Sequence, residues 1–158
     1  MDKLIDDLIK LAFAEDIGDG DHTTLCCIPE TAMGKSQLII KEDGVLAGVE
    51  MAKRIFHDFD PELKMTVFIQ DGAEVKKGDI AFVVEGKIQS LLQTERLMLN
   101  VMQRMSGIAT TTRKYAKALE GTKTHVLDTR KTTPGMRMIE KEAVRIGGGM
   151  NHRIGCSI

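Results

Sequence analysis

The chain has 158 residues, of which 42% are hydrophobic and 28% charged, a composition typical of one globular domain or of a small domain with part of a second. Its formal net charge of −1 gives no reason to expect a nucleic acid or a membrane surface as a partner, and five Phe, one Tyr and no Trp leave little aromatic surface for base stacking. No stretch approaches the roughly 20 apolar residues of a membrane span.

The first 87 residues alternate short apolar runs with turn signals, which predicts an α+β domain. Apolar residues recur at helical spacing over residues 2–15, and glycines soon end that helix. The loop 18–24 has acidic residues but not the register of an EF-hand calcium loop, so a turn into the first strand is predicted. The elements expected next are strands 36–41 and 44–48, a helix at 50–59, and strands 64–70 and 80–85.

A different pattern begins at Ile88, where a broad apolar stripe at helical period predicts a long helix. The pattern predicts that this helix ends near Ser106-Gly107 and that a second helix spans about 109–119. A strand at 124–128, a polar loop and a helix at about 137–146 are expected to follow as one β–loop–α unit.

The cysteines and the N-terminus indicate a reducing compartment. Cys26 and Cys27 are adjacent and Cys156 is remote, a spacing that predicts neither a disulfide nor a metal site. The acidic start, residues 2–7, has no long apolar run and so is not a signal peptide. We therefore expect a cytoplasmic location.

Three short motifs have alternative interpretations. Gly34-Lys35-Ser36 mimics the end of a P-loop, but Pro29 stands where the upstream glycine is required. The run Gly147–Gly149 could cradle phosphate, yet it follows a helix, so a helix cap is favoured. Residues 70–80 resemble half of a lipoyl or biotinyl carrier hairpin, with Lys87 as the nearby lysine. A structural hairpin is favoured there, and a non-catalytic carrier module stays as an alternative function.

Positive charge is concentrated late in the chain, since Arg113 to Arg153 includes ten Lys and Arg against four Asp and Glu. Such a region on a nearly neutral protein favours a small anionic ligand. Guanidinium groups bind carboxylate or phosphate through two parallel hydrogen bonds, whereas lysine acts as a point charge. The candidate binding cations are Arg96, Arg130, Lys131, His152 and Arg153.

Seven motifs, in order along almost the whole chain, resemble quinolinate phosphoribosyltransferase, also called carboxylating nicotinate-nucleotide pyrophosphorylase. The matching segments are Glu15–Thr24, Gly44–Gly48, Gly72–Asp79, Thr94–Asn100, Ser106–Thr110, Asp128–Gly135 and Gly148–Arg153. The resemblance implies an α+β N-terminal sandwich domain, residues 1–106, that includes the long helix. The beginning of a TIM-like α/β barrel, residues 107–158, would follow it.

The resemblance also implies a reaction. A phosphoribosyl group would pass from phosphoribosyl pyrophosphate to quinolinate with loss of CO2, giving nicotinate mononucleotide and pyrophosphate in de novo NAD biosynthesis. Mg²⁺ is the implied cofactor, and a homodimer or higher homo-oligomer is the implied assembly. A molybdenum-locus pyrophosphorylase-like paralogue, acting on another substrate, is the alternative within the same fold.

The resemblance assigns roles to matching residues. Arg130, His152 and Arg153 would hold the carboxylates of quinolinate. Lys131 would act catalytically on the phosphoribosyl donor and the developing charge. Arg96 would reach into the site of a partner subunit. Two further residues complete the predicted site: the substrate-binding Thr129, and Glu95 as a catalytic residue that orients a neighbouring cation. An ordinary ion pair on the helix surface is the alternative for Glu95.

The chain departs from the family pattern in its length. A closed barrel takes about 200 residues or more, whereas only about fifty follow Gly107. The tail Ile154–Ile158 also lacks the acidic residue that the family has there. We therefore expect a truncated member that keeps part of the quinolinate site without full turnover, and whose Mg²⁺ ligands lie outside this sequence.

Overall fold

A computed structural model describes residues 2–153, without the side chain of Asp2. The predictions about Cys156 and the tail Ile154–Ile158 therefore lie outside the described residues. The helices are α1 (Asp2–Ile17), α2 (His22–Cys27), α3 (Val49–Phe59), α4 (Ile88–Ala118) and α5 (Arg137–Ile146). The strands are β1 (Met33–Ile39), β2 (Gly44–Val45), β3 (Lys64–Val67), β4 (Glu74–Val75) and β5 (Ile80–Lys87).

Strand β5 is the central strand of the principal sheet, and this position explains its continuous apolar sequence. It pairs antiparallel with β1 on one side and with β3 on the other. The consecutive residues Ala81 to Val84 are all buried, as expected of a strand covered on both faces. Phe82 meets Phe56 of α3 edge to face, with ring centroids 6.3 Å apart. Strands β2 and β4 form a second, two-stranded sheet.

Helix α4 runs unbroken for 31 residues, so the prediction of two helices separated at Ser106-Gly107 was wrong. A glycine inside a helix costs about 1 kcal/mol relative to alanine. That cost is small beside the burial of the apolar stripe on either side of Gly107, where Met105 and Ala109 are almost fully buried. The predicted domain division at 106/107 therefore falls inside a continuous helix, and it stays a prediction.

Two hydroxyl groups of α4 satisfy the backbone of the segment that begins with β2. The backbone N–H of Val45 donates to Thr110 Oγ1 (2.8 Å), and that of Ala47 donates to Ser106 Oγ (3.0 Å). The Ser106 hydroxyl in turn donates to the carbonyl of Ala47 (3.1 Å). Gly44 permits this approach, because a Cβ there would lie 2.6 Å from Thr110 Oγ1. The motifs 44–48 and 106–110 therefore pack against each other and are joined by these hydrogen bonds.

Aspartates at two turns cap the helices that follow or lie near them. Asp71 accepts the backbone N–H of Val49 (2.8 Å) at the start of α3. Asp21 accepts both the backbone N–H (3.1 Å) and the hydroxyl (2.6 Å) of Thr24. These two hydrogen bonds hold the pKa of the Asp21 carboxyl below its ordinary value. The predicted turn at 18–24 was therefore wrong in part, because the short helix α2 begins at His22.

Other elements lie close to their predicted positions. The predictions of helices at 2–15, 50–59 and 137–146 are confirmed by α1, α3 and α5. The predicted strand 124–128 was wrong as a strand, because only one parallel bridge forms there, between Leu127 and Met150. Parallel pairing is less stable per residue than antiparallel pairing, and residues 2–153 supply no further strand to extend this bridge.

The hydroxyl of Ser106 can be tested through the free energy of unfolding. Ser106→Ala should destabilise the protein by about 1–3 kcal/mol, because the buried N–H and carbonyl of Ala47 lose their partner. Urea unfolding measures the change. Thr111→Ala is the matched control, because its exposed hydroxyl bonds only to its own helix; it should shift stability by about 0.5 kcal/mol or less. Equal effects of the two substitutions would contradict the role given to Ser106.

The Asp21 cap predicts a pH dependence. Because its pKa is lowered in the folded protein, the cap stabilises the fold above the unfolded value of about 3.9 and loses its effect as the pH falls through the folded pKa. Thr24→Val removes one donor and should raise the Asp21 pKa towards its usual value, as measured by NMR titration. Thr23→Val, at the exposed neighbour, should leave that pKa unchanged. An Asp21 pKa as low in Thr24→Val as in the wild-type protein would contradict the assignment.

Candidate functional site

A large cleft lies between α4, the segment 126–133 and α5. Its volume is about 1040 Å³. Exposed apolar side chains at its edge include Tyr115 and Leu127. Its polar lining combines cations, carboxylates and hydroxyl or amide groups: Asn100, Gln103, Arg104, Thr111, Thr112, Asp128, Thr129, Lys131, Thr132, Thr133, Glu140 and Lys141.

The floor of the cleft is a buried ion pair between Asp128 and Lys141. Lys141 Nζ lies 2.5 Å from Asp128 Oδ2, and the two side chains are 3% and 2% exposed. Asp128 Oδ1 accepts the backbone N–H of His152 (2.8 Å). With the Asn151 amide oriented to satisfy both of its groups, its nitrogen donates to Asp128 Oδ2 (2.8 Å). These contacts satisfy both carboxylate oxygens, which a buried charge requires.

The same contacts place two distant segments of the sequence side by side. The N–H of Asp128 donates to the carbonyl of Met150 (3.0 Å), and the N–H of Met150 donates to the carbonyl of Val126 (2.8 Å). Together with the bond from His152 to Asp128, they join the segment 126–128 to the segment 150–152. The residues that follow each segment, 129–131 and 153, therefore leave the bridge at the same end of a parallel pair.

A second buried carboxylate, Glu140, holds the far end of the loop 129–133. Arg104 of α4 donates two hydrogen bonds to Glu140 Oε1, one from Nε (2.8 Å) and one from a terminal nitrogen. The same terminal nitrogen donates to the Thr133 hydroxyl oxygen. The backbone N–H of Thr133 donates to Glu140 Oε2 (3.3 Å). Arg137 contacts the loop between these points, with Nε 3.2 Å from Thr132 Oγ1.

The glycines at the end of α5 let that helix lie against α4. Gly147 is the C-terminal cap of α5, which confirms the helix-cap interpretation of Gly147–Gly149. A Cβ at Gly147 would lie 2.6 Å from the carbonyl oxygen of Ala109, and a Cβ at Gly149 would lie 2.6 Å from Val144 Cγ1. Arg113 Nε of α4 donates to the Gly147 carbonyl (3.0 Å). Close packing therefore explains these two glycines.

Of the predicted site residues, Thr129 and Lys131 border the cleft. Both are exposed, and Lys131 makes no ion pair within residues 2–153. Arg130 is half-buried between them, and its carbonyl accepts a hydrogen bond from Arg137 (3.5 Å). His152 and Arg153 are exposed beside the start of the loop. The convergence of these side chains on one ligand stays a prediction.

Glu95 and Arg96 lie elsewhere on α4 and do not border the cleft. Arg96 Nε is 3.1 Å from Asp16 Oδ1 of α1, and two thirds of its side chain is exposed. Glu95 is exposed and has no ion pair in the described part of the chain. Arg96 therefore does not join the other cations within one subunit.

Sequence reasoning missed four residues that build this site: Arg104, Arg137, Glu140 and Lys141. One signal was available for Lys141, because a charge predicted to end an apolar strand, as Asp128 was, needs a buried partner. Arg104 follows Asn100 by four residues and so shares the polar face of α4. No sequence pattern, however, pairs it with Glu140.

The two carboxylates that border the cleft are already paired with cations. Mg²⁺ is bound through carboxylate oxygens and water, but Asp128 and Glu140, the carboxylates of the cleft, are occupied by Lys141 and Arg104. Within residues 2–153 no group of three or more His, Cys, Asp or Glu side chains is arranged to hold a metal ion. No step of the chemistry is therefore assigned to a metal here.

The carrier alternative is not supported by the position of Lys87. This residue ends β5 and directly precedes α4, and its Nζ lies 3.5 Å from Glu62 Oε2. A carrier domain needs its modified lysine at an exposed turn between two strands, and Lys87 is at a strand–helix junction instead.

Within the described part of the chain, no helix is both long and apolar enough to cross a bilayer.

Comparison with known proteins identifies two matching family models. The N-terminal domain of quinolinate phosphoribosyl transferase matches residues 21–106, and the C-terminal domain of the same family matches residues 108–157. Quinolinate phosphoribosyltransferase (decarboxylating) 1 of Nicotiana glauca is 48% identical over 149 residues, which are 94% of this chain and 42% of that protein. A probable nicotinate-nucleotide pyrophosphorylase (carboxylating) of Synechocystis is 43% identical over 96% of this chain and 51% of its own length.

Solved structures agree with the fold. NadC from Streptococcus pyogenes superimposes with a TM-score of 0.94 at 41% identity, over 99% of this chain and 56% of that one. The nicotinate-nucleotide pyrophosphorylase from Francisella tularensis gives 0.90 at 36% identity, with the same coverage. The predicted fold class, an α+β N-terminal domain followed by the beginning of an α/β barrel, is thereby confirmed. The chain spans about half of the length of these relatives.

The buried ion pair can be tested by a double-mutant cycle. Lys141→Met should destabilise the protein by about 3–5 kcal/mol, because it leaves the Asp128 charge buried without its partner. Adding Asp128→Asn should recover most of that loss, since asparagine still accepts the N–H of His152. Urea unfolding measures both.

Arg145→Met is the control for this cycle, because it breaks an exposed ion pair with Glu142 on the same helix. Its cost should be about 1 kcal/mol or less. Additive effects of Lys141→Met and Asp128→Asn would contradict the coupling between the two charges.

Proposed function

The chain belongs to the quinolinate phosphoribosyltransferase family, and we propose that its protein transfers phosphoribosyl from phosphoribosyl pyrophosphate to quinolinate. Loss of CO2 accompanies the transfer, and nicotinate mononucleotide and pyrophosphate are the products. The reaction is a step of de novo NAD biosynthesis. The names of the relatives from Nicotiana and Synechocystis, which are more than 40% identical, support this assignment.

One observation carries the proposal: at the parallel bridge between Leu127 and Met150, the loop 129–131, which borders the cleft, starts beside the segment 151–153. His152 is fixed there through its backbone by Asp128. The two carboxylates that border the cleft are neutralised by Lys141 and Arg104. The positive charge of Lys131 is therefore available to bind an anion that enters the cleft. Both substrates are multiply charged anions.

We assign the roles as follows. Arg130, His152 and Arg153 hold the two carboxylates of quinolinate, since arginine matches a carboxylate with paired N–H donors and histidine adds one more. Lys131 serves the phosphoribosyl donor and stabilises charge that develops at the reacting centre. Thr129 contributes its hydroxyl at the mouth of the cleft.

Two further assignments involve a second subunit. Arg96, remote from the cleft of its own chain, is proposed to enter the site of the partner subunit in a homodimer. The ion pair with Asp16 of α1 then orients the Arg96 side chain. Glu95 is proposed to orient a neighbouring cation in that assembly. We propose Mg²⁺ as the cofactor that accompanies the phosphoribosyl donor, with ligands other than Asp128 and Glu140.

The cytoplasm is the proposed location of this protein. Some plant relatives carry the names of organelles, such as the mitochondrial protein of Nicotiana tabacum and the chloroplastic protein of Arabidopsis thaliana. The reducing setting that the adjacent Cys26 and Cys27 indicate is common to these compartments, so cell fractionation is the direct test.

Quinolinate binding tests the function. Isothermal titration should detect binding to the wild-type protein, and Arg130→Ala should weaken it by about thirtyfold or more, since a charge-assisted pair worth at least about 2 kcal/mol is lost. Lys114→Ala is the control, because Lys114 is an exposed cation on α4 that does not border the cleft.

Two results would count against the proposal. Absence of quinolinate binding to the wild-type protein would refute quinolinate as the substrate and favour the paralogue with another aromatic acid. Binding that Arg130→Ala and Lys114→Ala reduce equally would refute the assigned role of Arg130. Release of pyrophosphate from phosphoribosyl pyrophosphate and quinolinate then measures turnover directly.

A further inference from the structure

We propose that Arg104 is a positioning residue: paired with Glu140, it holds the loop 129–133 in the arrangement that receives the anionic substrate. The loop carries Arg130 and Lys131 but makes no strand pairing of its own. Something outside the loop must therefore fix its course. The inference deepens the proposed function of the cleft and rests on it.

Thr133 is held by both members of the ion pair. A terminal nitrogen of Arg104 bonds the Thr133 hydroxyl, while Glu140 Oε2 accepts the Thr133 N–H (3.3 Å). The two partners are joined to each other through Arg104 Nε and Glu140 Oε1 (2.8 Å). Thr133 is thus bound through its side chain to α4 and through its backbone to α5.

The opposite end of the loop is held independently. Asp128 is bound by Lys141 of α5 and by the backbone of His152. Arg130 and Lys131 therefore lie between two anchors, one at Asp128 and one at Thr133. If the second anchor is lost, the loop beyond Asp128 is held only by Arg137, through Thr132 and the Arg130 carbonyl, and its cations must be further ordered when the ligand binds. That ordering lowers affinity.

Burial supports a positioning role for the pair. The Glu140 side chain is 11% exposed and that of Arg104 is 40% exposed. A carboxylate so far from solvent needs its cation, and the cation is held in place by the same contacts. Arg104 also borders the cleft, so direct binding of the substrate is the competing role.

Glu140→Gln distinguishes the two roles by the sign of its effect. If Arg104 binds the anion directly, loss of the neighbouring negative charge makes the cleft more positive and tightens binding. If Arg104 acts through the loop, the same substitution loosens the clamp and weakens binding. Glutamine preserves the shape of the side chain, so packing is little changed.

The first measurement is titration of quinolinate at a temperature where circular dichroism shows every variant to be folded. Arg104→Met and Glu140→Gln should each weaken binding about five- to tenfold, the effect of ordering one or two side chains on binding. Arg104→Lys, which keeps the charge but not the paired donors, should fall between Arg104→Met and wild type. Lys114→Met is the matched control and should bind as wild type does.

A milder variant covers the case in which Arg104→Met fails to fold. Thr133→Val leaves the ion pair intact and removes only the hydroxyl contact, so it should weaken binding in the same direction by a smaller factor. Unchanged or tighter binding in Glu140→Gln would overturn the inference, as would wild-type affinity in Thr133→Val together with Arg104→Lys.

The second measurement needs no ligand. Amide hydrogen exchange at Lys131 and Thr133 should be faster in Arg104→Met and Glu140→Gln than in Lys114→Met, because the anchored loop opens more often. If the wild-type protein does not bind quinolinate, the proposed function fails and exchange alone decides the inference. Equal exchange rates in the wild-type protein and in the three variants Arg104→Met, Glu140→Gln and Lys114→Met would overturn the inference.

Discussion

The ion pair between Asp128 and Lys141 is the interaction on which the site depends. Both groups are almost fully removed from solvent, so each requires the other, and the pair fixes α5 against the end of the bridged segment. The remaining acceptor capacity of Asp128 then orders the backbone at His152. A single carboxylate therefore connects three parts of the chain: the segment 126–128, α5 and the segment 150–152. Buried pairs of this kind add little net stability, but removing one partner is strongly destabilising because the other charge is left buried.

Helix α4 connects this site to the sandwich domain. Its hydroxyl groups at Ser106 and Thr110 bind the β2 segment, while Arg104, on another face, binds Glu140 and Thr133. Arg104 lies in the part of the chain that matches the N-terminal family model, and Glu140 lies in the part that matches the C-terminal one. The cleft is thus built jointly by both parts, and its geometry depends on how they pack.

The sequence predicted those elements whose formation depends on local patterns. Helices α1, α3 and α5 follow from apolar periodicity, and β5 follows from a continuous apolar run. The break predicted at Gly107 failed because burial on both sides of a glycine outweighs its local cost. Helix α2 was missed because six residues capped by Asp21 show no apolar period.

The site was predictable only in the cations of the loop 129–133. Lys131 and Arg130 stand in a conspicuous polar run after an apolar segment, so their residue types alone indicate an anion. The residues that hold them could not be found in the same way. Glu140 and Lys141 are adjacent in a helix and resemble an ordinary charged surface. The tertiary contacts show that both are buried partners of the loop: Lys141 pairs with Asp128 at its start, and Glu140 pairs with Arg104 and binds Thr133 at its end.

The unbroken course of α4 has a mechanical consequence. At 1.5 Å per residue its 31 residues extend over about 46 Å, so it acts as a stiff lever between the sheet and the cleft. A rotation of about one degree at Ile88 displaces the far end by almost 1 Å, a sizeable fraction of a hydrogen-bond length. Because the same helix packs on the sheet near Ile88 and carries Arg104 at the cleft, the position of Arg104 depends on how α4 is seated on the sheet.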